Sequence, residues 1–590
     1  MAVKIEVVYD GSKRILDAEE QLTLWHALVD AGVGESFYCG GKGLCGKCAV
    51  VLRAGKTEPN EKERQIFSDE QLAAGFRLAC QTMAHAGMLV ELRRNSMIRG
   101  FVDGLDVAIP LAPAVEQTQV VVEDQDGLRD RVCGLREQLG PAVDENWDLP
   151  GLASIPKGQK AIVTHTDDIV LHVEPKAAGH EYRLLGAAVD VGTTTLAFYL
   201  RDLKTGQLLA AVSSENPQRR YGADVISRVA YTQSHSDGVD ALQQTLVKAI
   251  NQGVGQLVDQ TAIHPLQISH MVLAGNTIML HTLLGISAAS IAHSPFTPTF
   301  TSGQRRTAQQ LGFTIHPNAL VETLPSLSGY VGADITADLL AVKAAGADEE
   351  TYLLMDIGTN GEVVLHHDGR FWACATAAGP AFEGASISCG LPGVDGAIAK
   401  VWRHRDGALQ YEVLGDVAPQ GLCGSGLIDA VAQLRRDGIV EATGAFADEK
   451  QDGMGTIDGR PAYQLVPDSD LWLTQKDVRE LQLAKGAMAA GVQLLLKEAG
   501  VQEDQVDKVF LAGGFGQYLD AASAAGIGLI PASWVDKVVK VGNGSGLGAQ
   551  IYMLNRHCHE YTAYLPEHIQ YVELSTRPDF QQFFMEAMML

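Results

Sequence analysis

The first 95 residues show short alternations of apolar and polar residues of the kind that forms strands. KIEVVYD and AVVLRAG alternate with a period of two, whereas LTLWHALVDAG carries apolar residues at helical spacing and runs into Gly32. These patterns predict two strands and a short helix that ends at this glycine. Residues 1–95 therefore form the first predicted domain.

The next part of the chain combines a linker with a small unit. Residues 96–115, SMIRGFVDGLDVAIPLAPAV, have no clear period and contain two prolines, which favours a linker. Within residues 116–183, QTQVVVED predicts a strand, DGLRDRVCGLREQL a helix, and KAIVTHT and DIVLHVEP two further strands. This order is typical of a small α/β middle domain, and its residues carry no recognisable chemistry.

Residues 184–590 alternate apolar strands with amphipathic helices and glycine-rich turns, which indicates an α/β architecture. The clearest helix is TQKDVRELQLAKGAMAAGVQLLLKEAG, with Thr474 as its predicted N-cap and Gly500 as its predicted end. A weak internal repeat lies in the same region: GAAVDVGTTTLAFYL and LLMDIGTNGEVVLHH are each an apolar strand, an Asp-x-Gly-Thr turn and a return strand. We therefore expect two duplicated lobes.

Charge limits the classes of partner. The 590 residues include 46 Lys or Arg and 71 Asp or Glu, a net charge of −25, and nearly all of the excess lies beyond residue 95. Such a surface repels nucleic-acid backbones and anionic membranes, so neither is an expected partner. Residues 260–304 contain no Asp, Glu, Lys or Arg, but histidines and prolines interrupt them, so they predict a buried strand and helix. The opening residues lack the apolar run of a secretory signal, and we expect a cytoplasmic protein.

The cysteines indicate a metal site and no disulfide framework. Four of the nine cysteines follow the spacing Cys39-x5-Cys45-x2-Cys48, with 31 residues between Cys48 and Cys80. The glycines of CGGKGLCGKC give the loop backbone freedom and N–H groups that can bond cluster sulfurs. Structural zinc is the alternative, but it usually shows two paired knuckles, whereas the pairing here is three plus one. The x5 spacing resembles the adrenodoxin-like branch of [2Fe–2S] ferredoxins. The predicted iron ligands are Cys39, Cys45, Cys48 and Cys80.

Two other cysteines, Cys389 and Cys423, raise the question of a second cluster. Both are single cysteines in small-residue surroundings, which favours buried apolar residues.

The Asp-x-Gly-Thr turns predict a nucleotide site. Each turn supplies a carboxylate at a strand end and then backbone N–H groups and a hydroxyl, which suit phosphate oxygens and Mg²⁺. A third glycine-rich turn, in VFLAGGFGQYLD, would pass under the nucleoside. The chain contains no GxxxxGK[ST] motif, so a P-loop is excluded. The predicted contacts are Asp190, Gly192, Thr193, Thr194 and Thr195 in the first turn, Asp356, Gly358, Thr359 and Asn360 in the second, and Gly513, Gly514 and Phe515 in the third.

Asp190 and Asp356 are the predicted catalytic residues, which would orient Mg²⁺ and the attacking water. Glu362 and Glu383 are further candidates for the base, and the sequence does not choose among the four carboxylates. GLCGSGLID would present a phosphate-facing loop through Gly424 and Ser425, before a helix that carries Asp429. A role in packing alone would explain the glycines of GLCGSGLID equally well.

Together, the three turns resemble the acetate and sugar kinase/Hsc70/actin superfamily, whose duplicated domains clamp ATP in a central cleft. The whole chain resembles the reductive activators of corrinoid proteins, on the strings CGGKGLCGKC, NPQRRYGADVISRV, GNTIML, DIGTNGEV, GLCGSGLID, LAGGFG and YVELSTRPDFQQFF. The resemblance implies a multidomain α/β protein. Its parts would be a β-grasp-like [2Fe–2S] ferredoxin domain, a linker, a small α/β middle domain and a duplicated actin-like, ribonuclease H-like ATPase domain. The last of these would span residues 184–590.

The resemblance also implies an activity. Members of this family return a corrinoid cofactor from Co(II) to Co(I) for methyl transfer, and use a [2Fe–2S] cluster, ATP and Mg²⁺. The implied partners are a corrinoid protein of a methyltransferase system and an upstream electron donor of flavin or ferredoxin type. A homodimer is also implied.

Two other functions stay open from the sequence. One is the activation of a different low-potential enzyme, such as a 2-hydroxyacyl-CoA dehydratase, although that group holds one [4Fe–4S] cluster between two subunits. The other is a plain electron carrier in which the ATP module is regulatory.

Overall fold

A computed structural model of the chain describes residues 2–9, 12–19, 22–30, 43, 48–92, 105–123, 130–139, 148–177, 182–384, 386–404, 408–415, 417–447, 452–514, 516 and 518–590. These residues form six sheets, and the two largest belong to two lobes of similar topology.

The amino-terminal unit is a mixed sheet of five strands in the order β2-β1-β5-β3-β4. Strand β1 pairs antiparallel with β2 and parallel with β5, and helix α1 packs on the sheet through Leu24 and Leu28. This is a β-grasp-like fold, and it confirms the predicted strands and helix; the predicted helix end at Gly32 lies outside the described residues. The elements are β1 (Ala2–Tyr9), β2 (Ser12–Glu19), α1 (Leu24–Asp30), β3 (Ala49–Ala54), α2 (Glu61–Ile66), α3 (Asp69–Ala74), β4 (Phe76–Leu78) and β5 (Leu89–Glu91).

A small unit follows, with a three-stranded antiparallel sheet in the order β6-β7-β8. Its core joins Val120 and Val163 of the sheet to Leu135 and Leu152 of the two helices. This is the strand–helix–strand–strand order that the sequence predicts, with one additional short helix. The elements are β6 (Glu116–Val122), α4 (Arg131–Leu139), α5 (Leu149–Ser154), β7 (Gln159–His165) and β8 (Val170–Pro175).

The first lobe carries a six-stranded sheet in the order β11-β10-β9-β12-β14-β13. All eight residues of β12 are buried, and every residue of α8 is buried as well, so the uncharged stretch forms the expected buried strand and helix. The elements are β9 (Leu185–Val191), β10 (Thr195–Asp202), β11 (Leu208–Glu215), α6 (Val225–Ser234), α7 (Gly238–Thr261), β12 (Ile268–Gly275), α8 (Thr277–Leu283), β13 (Arg305–Thr307), α9 (Ala308–Leu311), β14 (Leu320–Thr323) and α10 (Ala333–Ala344).

The second lobe carries a six-stranded sheet in the order β25-β24-β15-β16-β17-β26 and two small sheets. The predicted long helix is confirmed as α12, with Thr474 as N-cap and Gly500 in the left-handed conformation after its last residue. The elements are β15 (Tyr352–Ile357), β16 (Gly361–His367), β17 (Arg370–Thr376), β18 (Ala397–Arg403), β19 (Leu409–Val413), β20 (Gly421–Leu422), α11 (Gly424–Arg436), β21 (Met454–Ile457), β22 (Arg460–Gln464), β23 (Trp472–Thr474), α12 (Gln475–Ala499), β24 (Lys508–Ala512), α13 (Ala521–Gly526), β25 (Val538–Gly542), α14 (Gly544–Leu554), α15 (Cys558–His568), β26 (Ile569–Tyr571) and α16 (Phe580–Ala587).

The two lobes repeat one topology. In each, three consecutive strands form an antiparallel meander, and the next strands add in parallel beside the first: β11-β10-β9-β12-β14 corresponds to β17-β16-β15-β24-β25. The duplication expected from the Asp-x-Gly-Thr repeat is therefore present in the fold. It is the arrangement of the actin-like, ribonuclease H-like class.

Two helices cross between the lobes, and each packs on the sheet of the opposite lobe. Helix α10 follows the first-lobe sheet but buries Ile335 and Leu339 with second-lobe residues such as Leu354. Helix α14 follows the second-lobe sheet but buries Met553 in the first-lobe core. The two helices approach so closely that a Cβ at Gly548 would lie 1.9 Å from the Ala337 carbonyl oxygen. Only glycine fits at this position. The glycine-rich string GNGSGLGA thus allows the crossing.

The end of the predicted linker is attached to these lobes. The Leu105 N–H donates to the Val541 carbonyl at 3.0 Å, and the Ala112 N–H donates to the Leu554 carbonyl at 2.8 Å. Leu105, Val107 and Ile109 alternate along the chain and pack against the core that α10 shares with the second lobe. No helix among the described residues is long and apolar enough to cross a membrane.

Candidate functional site

The cleft between the lobes lies at the carboxyl ends of their parallel strands. Asp190 is the second-to-last residue of β9, and its carboxylate accepts hydrogen bonds from Asn543 Nδ2 at 2.9 Å and Ser545 Oγ at 2.8 Å. Burial raises the pKa of Asp190 to about 6, and these two hydrogen bonds oppose the rise. Both donors lie at the start of α14, so the crossing helix positions this carboxylate.

Residues from two other strings hold the first phosphate turn, Gly192–Thr195. Asn216, in NPQRRYG, donates from Nδ2 to the Gly192 carbonyl at 2.9 Å. Arg228 is 1% exposed and donates to the Thr193 carbonyl at 2.5 Å. Asn276, the N-cap of α8, donates from Nδ2 to Thr193 Oγ1 at 3.0 Å. The sequence marked these strings as conspicuous, but their role as supports of the turn required the fold.

The second phosphate turn follows β15. Asp356 ends the strand, and the Gly358 N–H donates to the Asn360 carbonyl at 3.1 Å, which closes the turn. Gly513, with φ +88°, lies against it: a Cβ there would be 2.6 Å from Asp356 Oδ1. The third predicted turn, at Gly513, therefore contacts the second turn, at Asp356. Phe515, another predicted contact in the third turn, lies outside the described residues.

The two phosphate turns meet across the cleft. The hydroxyl oxygens of Thr194 and Thr359 are 2.9 Å apart. Glu383 accepts from both, with Oε1 2.6 Å from Thr359 Oγ1 and Oε2 3.2 Å from Thr194 Oγ1. Burial raises the pKa of Glu383, and the hydrogen bond from Thr359 opposes this rise. One carboxylate thus contacts both lobes.

Gly424 lies against the segment that carries this glutamate, whereas Ser425 is bonded to β18. A Cβ at Gly424 would lie 1.7 Å from the Phe382 carbonyl oxygen, so only glycine allows α11 to begin here. The Ser425 hydroxyl is buried and donates to the Ala399 carbonyl at 2.8 Å. A direct nucleotide contact by these two residues stays a prediction.

Five carboxylates gather at the base of the cleft, more than the sequence identified. Asp356 and Glu362 lie directly opposite each other on β15 and β16, and α10 adds Asp334 and Asp338, one turn apart. The fifth is Asp190, whose charge acts on Asp334, Asp338 and Asp356. The presence of α10 at this place depends on the helix crossing, which the local sequence does not reveal.

The electrostatics of this cluster require a cation or protons. Asp338 is fully buried, no N–H or hydroxyl group of the described residues donates to its carboxylate oxygens, and its carboxyl group lies within hydrogen-bond reach of that of Asp356. Burial and the neighbouring carboxylates raise the pKa of Asp356 to about 8 and that of Asp334 to about 7, and hold that of Asp338 well above its ordinary value. Oxygen ligands of this kind suit Mg²⁺. No three of these carboxylates bring their oxygens within 4.8 Å of one another, so among the described residues they fit the expected metal as ligands that act partly through water.

Two of the four predicted iron ligands lie close together in the structure. Cys48 Sγ and Cys80 Sγ are buried and 3.3 Å apart, and the Ala79 N–H donates to the Cys48 carbonyl at 2.9 Å. Two thiolates of one tetrahedral metal with bonds near 2.3 Å lie roughly 3.8 Å apart, so a shift of roughly 0.5 Å would let this pair bind one iron. Cys39 and Cys45 lie outside the described residues.

The remaining cysteines give no second cluster among the described residues. The Cys423 thiol is 3% exposed and donates to the Ile398 carbonyl at 3.3 Å, as expected of a buried structural residue. Where the chain is described, the one group of three potential metal ligands is His172, Glu174 and His316. The two imidazole rings stack at 3.9 Å with 25° between their planes, so their lone pairs do not converge on one ion.

Comparisons with known proteins agree with this architecture. Residues 7–85 match the 2Fe-2S iron-sulfur cluster binding domain, residues 185–345 match the RACo middle region, and residues 350–590 match the C-terminal domain of RACo, the ASKHA domain. Fold and site thus define a ferredoxin-type iron–sulfur domain fused to a two-lobed ASKHA ATPase. The expected fold class and the expected cofactors, a [2Fe–2S] cluster, ATP and Mg²⁺, are confirmed at this level.

Individual relatives show to which family of iron–sulfur ATPases the chain belongs. The corrinoid activation enzyme RamQ of Eubacterium limosum is 29% identical, over 98% of this chain and 98% of that protein. The reductase of the Co(II) methylated amine-specific corrinoid protein of Methanosarcina barkeri is 25% identical, over 61% of this chain and 68% of that protein. A solved structure of a reductive activator for corrinoid, iron–sulfur protein has 30% identity and a TM-score of 0.75, and the match covers 99% of this chain and 98% of that chain. The chain belongs to the family of reductive activators of corrinoid proteins.

Proposed function

We propose that this protein is an ATP-dependent reductive activator of a corrinoid protein of a methyltransferase system. It would transfer one electron from its [2Fe–2S] domain to cobalt and return Co(II) to Co(I). One observation carries the proposal: a buried thiol pair, Cys48 and Cys80, and two facing phosphate turns, joined by Thr194 and Thr359, belong to one chain. An electron carrier alone would not need the second site.

The energy balance explains why the two sites are joined. A plant-type [2Fe–2S] cluster has a potential near −400 mV, and Co(II) in a corrinoid is harder still to reduce. Each 59 mV of uphill one-electron transfer lowers the equilibrium constant about tenfold. A nucleotide clamp can offset this if its ATP and ADP states bind the partner with different affinity, for example by repositioning a cobalt ligand. ATP then acts on conformation, and no metabolite is phosphorylated.

The site residues fit this mechanism as follows. Backbone N–H groups and hydroxyls of the two turns would bind the phosphates, and the Thr194–Thr359 contact must open to admit them. Gly513 and Gly514 would flank the nucleoside. The buried carboxylates would hold Mg²⁺, because a cation would relieve the burial and mutual repulsion that raise the pKa values of Asp338 and Asp356. Binding would therefore change the relation of the lobes and release protons from the cluster.

Among the candidate bases, Glu383 is the best placed. Its carboxylate contacts the hydroxyls of both phosphate turns, whereas Asp190 is already bonded to Asn543 and Ser545. Its pKa is raised by burial, which makes it a better proton acceptor than an exposed glutamate. We assign Glu383 to orienting and deprotonating the attacking water, and Asp190 and Asp356 to the metal.

The iron ligands, the partners and the location complete the proposal. Cys39, Cys45, Cys48 and Cys80 would hold the cluster, which supplies one-electron transfer when bound. The electron donor would be of flavin or ferredoxin type, and the protein would act as a homodimer. A cytoplasmic location fits because thiols stay reduced there and ATP is available.

The test is the formation of Co(I). The full-length protein, purified without oxygen, is mixed with a Co(II) corrinoid protein and titanium(III) citrate, and the Co(I) absorbance is followed with ATP, with a non-hydrolysable analogue and without nucleotide. We expect Co(I) only when protein and ATP are both present, and an ATPase rate that rises with the corrinoid protein. Asp356→Asn should abolish the effect of ATP, and Cys80→Ser should abolish electron transfer.

Three outcomes would contradict the proposal. Equal Co(I) yield with the analogue would exclude coupling to hydrolysis. Co(I) formation independent of any nucleotide would favour a plain electron carrier with a regulatory ATP module. A nucleotide effect that requires another low-potential enzyme, with no response to corrinoid proteins, would favour the other activator function.

A further inference from the structure

The residue after the last cysteine ligand points its side chain back at that ligand. Gln81 Nε2 lies 3.5 Å from Cys80 Sγ and 3.2 Å from the Cys80 carbonyl oxygen. A carboxamide nitrogen carries two hydrogens, so it can donate to the sulfur and to the carbonyl together. Gln81 thus supplies a side-chain donor to one of the two described thiols.

The cysteine loop leaves room for this side chain. A Cβ at Gly43 would lie 2.8 Å from Gln81 Cδ and 3.0 Å from Lys62 Cδ, and Gly43 has φ +71°. A residue with a side chain would therefore clash with Gln81 and would strain the backbone. Gly43, the third glycine of the CGGKGLC segment, and Gln81 on the facing turn are therefore complementary in space.

A buried carboxylate fixes the turn that carries Cys80 and Gln81. Glu63 is 2% exposed, and its Oε1 accepts from the Leu78 N–H at 2.8 Å and from Thr82 Oγ1 at 3.4 Å. Its Oε2 accepts from the Asn60 N–H at 2.8 Å. Glu63 therefore holds the chain on both sides of Cys80 and Gln81, at Leu78 and at Thr82. This fixes the backbone from which the Gln81 side chain extends.

We propose that Gln81 is a positioning residue that raises the reduction potential of the iron–sulfur cluster by donating a hydrogen bond to Cys80 Sγ. Reduction adds negative charge, part of which lies on the ligand sulfurs, and a donor stabilises the more negative state. The inference rests on the cluster of the proposed function and deepens it. It names the residue that adjusts how strong a reductant the protein is.

The experiment measures a potential, not an activity. In the full-length protein, Gln81→Met keeps the length of the side chain and removes the donor. The midpoint potential is measured by redox titration, with the EPR signal of the reduced cluster as readout. We expect the equilibrium constant for reduction to fall about tenfold, which is about 59 mV for one electron. As a matched control, Gln71→Met alters an exposed glutamine of α3 in the same domain, and it should leave the potential unchanged.

A second variant covers the possibility that methionine disturbs the site. Gln81→Glu keeps the shape, removes the donor and adds a negative charge, so it should lower the potential at least as much. Wild-type iron and sulfide content with an unchanged potential in either variant would overturn the inference but leave the proposed function standing. Loss of the cluster in both variants would assign Gln81 to assembly and would also overturn it. Absence of sulfide from the unaltered protein would instead overturn the proposed function.

Discussion

The hydroxyl oxygens of Thr194 and Thr359 lie 2.9 Å apart although the two residues are 165 positions apart in the chain. One belongs to the phosphate turn of the first lobe and the other to that of the second. Phosphate groups cannot occupy the space between these hydroxyls while they touch. Under the proposed function, phosphates that enter between these hydroxyls would separate the two turns, which would connect ATP binding mechanically to both lobes.

Glu383→Gln tests the assignment of the base. The amide keeps the shape but accepts no proton, so we expect kcat for ATP hydrolysis to fall about 10²–10⁴-fold with a smaller change in KM. Steady-state ATPase assays measure both constants. Glu412→Gln, which removes one end of an exposed ion pair with Lys400, is the matched control and should have wild-type kinetics. A loss of only a few-fold in Glu383→Gln would shift the role to Asp190, Asp356 or Glu362.

Asp338→Asn tests the electrostatics of the carboxylate cluster. The pKa of Asp338 is raised well above its ordinary value, so the folded protein binds more protons than the unfolded chain above about pH 4, and stability falls as pH rises. The variant should have a higher Tm than the wild type at pH 8 without nucleotide, and a smaller difference at pH 6. It should also lose most of the stabilisation that Mg²⁺-ATP gives the wild type.

Thermal unfolding at several pH values, with and without Mg²⁺-ATP, measures both effects. Asp348→Asn is the control, because Asp348 follows α10 but forms an exposed pair with Lys343. Equal or lower stability of Asp338→Asn at pH 8 would show that the cluster is not strained by its charges.

Asn276→Ala tests the support of the first phosphate turn. The substitution removes the N-cap of α8, at a cost of about 1 kcal/mol, and the hydrogen bond to Thr193. Because we propose that this turn binds the phosphates, we expect KM for ATP to rise more than kcat falls. Asn60→Ala removes the N-cap of α2 in the first domain and should lower stability without changing KM. An unchanged KM in Asn276→Ala would show that the turn holds its shape without this residue.

His172 predicts a pH dependence where the small unit meets the first lobe. Its ring is buried, stacks on His316 and contacts Ser269 Oγ at 3.1 Å, and burial lowers its pKa to about 3. Below about pH 6.5 the His172 ring is protonated in the unfolded chain but stays neutral in the folded protein, so stability falls as pH drops toward 3. At pH 5 this difference in protonation lowers the free energy of unfolding by about 2 kcal/mol.

His172→Gln should make this loss smaller between pH 7 and pH 5, as measured by urea unfolding. His568→Gln, at an exposed site on α15, should retain the wild-type pH dependence. Parallel pH profiles for the wild type and His172→Gln would contradict the prediction.

Some features were predictable because they are local. The Asp-x-Gly-Thr repeat predicted the duplication, since each copy codes its own strand, turn and return strand. Thr474 and Gly500 predicted both ends of α12 from capping chemistry alone. Contacts between distant residues were not predictable from the sequence. The sequence marks the strings around Asn216, Arg228 and Asn276, but the contacts of these residues with residues 192–193 span 24 to 83 positions.

The sequence by itself determined the spacing of the four cysteines, the two Asp-x-Gly-Thr turns and the strand–helix order, because spacing and hydrophobic period act over a few residues. Only the tertiary structure decided that Asp334 and Asp338 join Asp190, Asp356 and Glu362, and that Glu383 touches both lobes. The physical reason is the crossing of α10 and α14, which each pack on the opposite lobe's sheet and carry residues from one half of the chain into the site of the other.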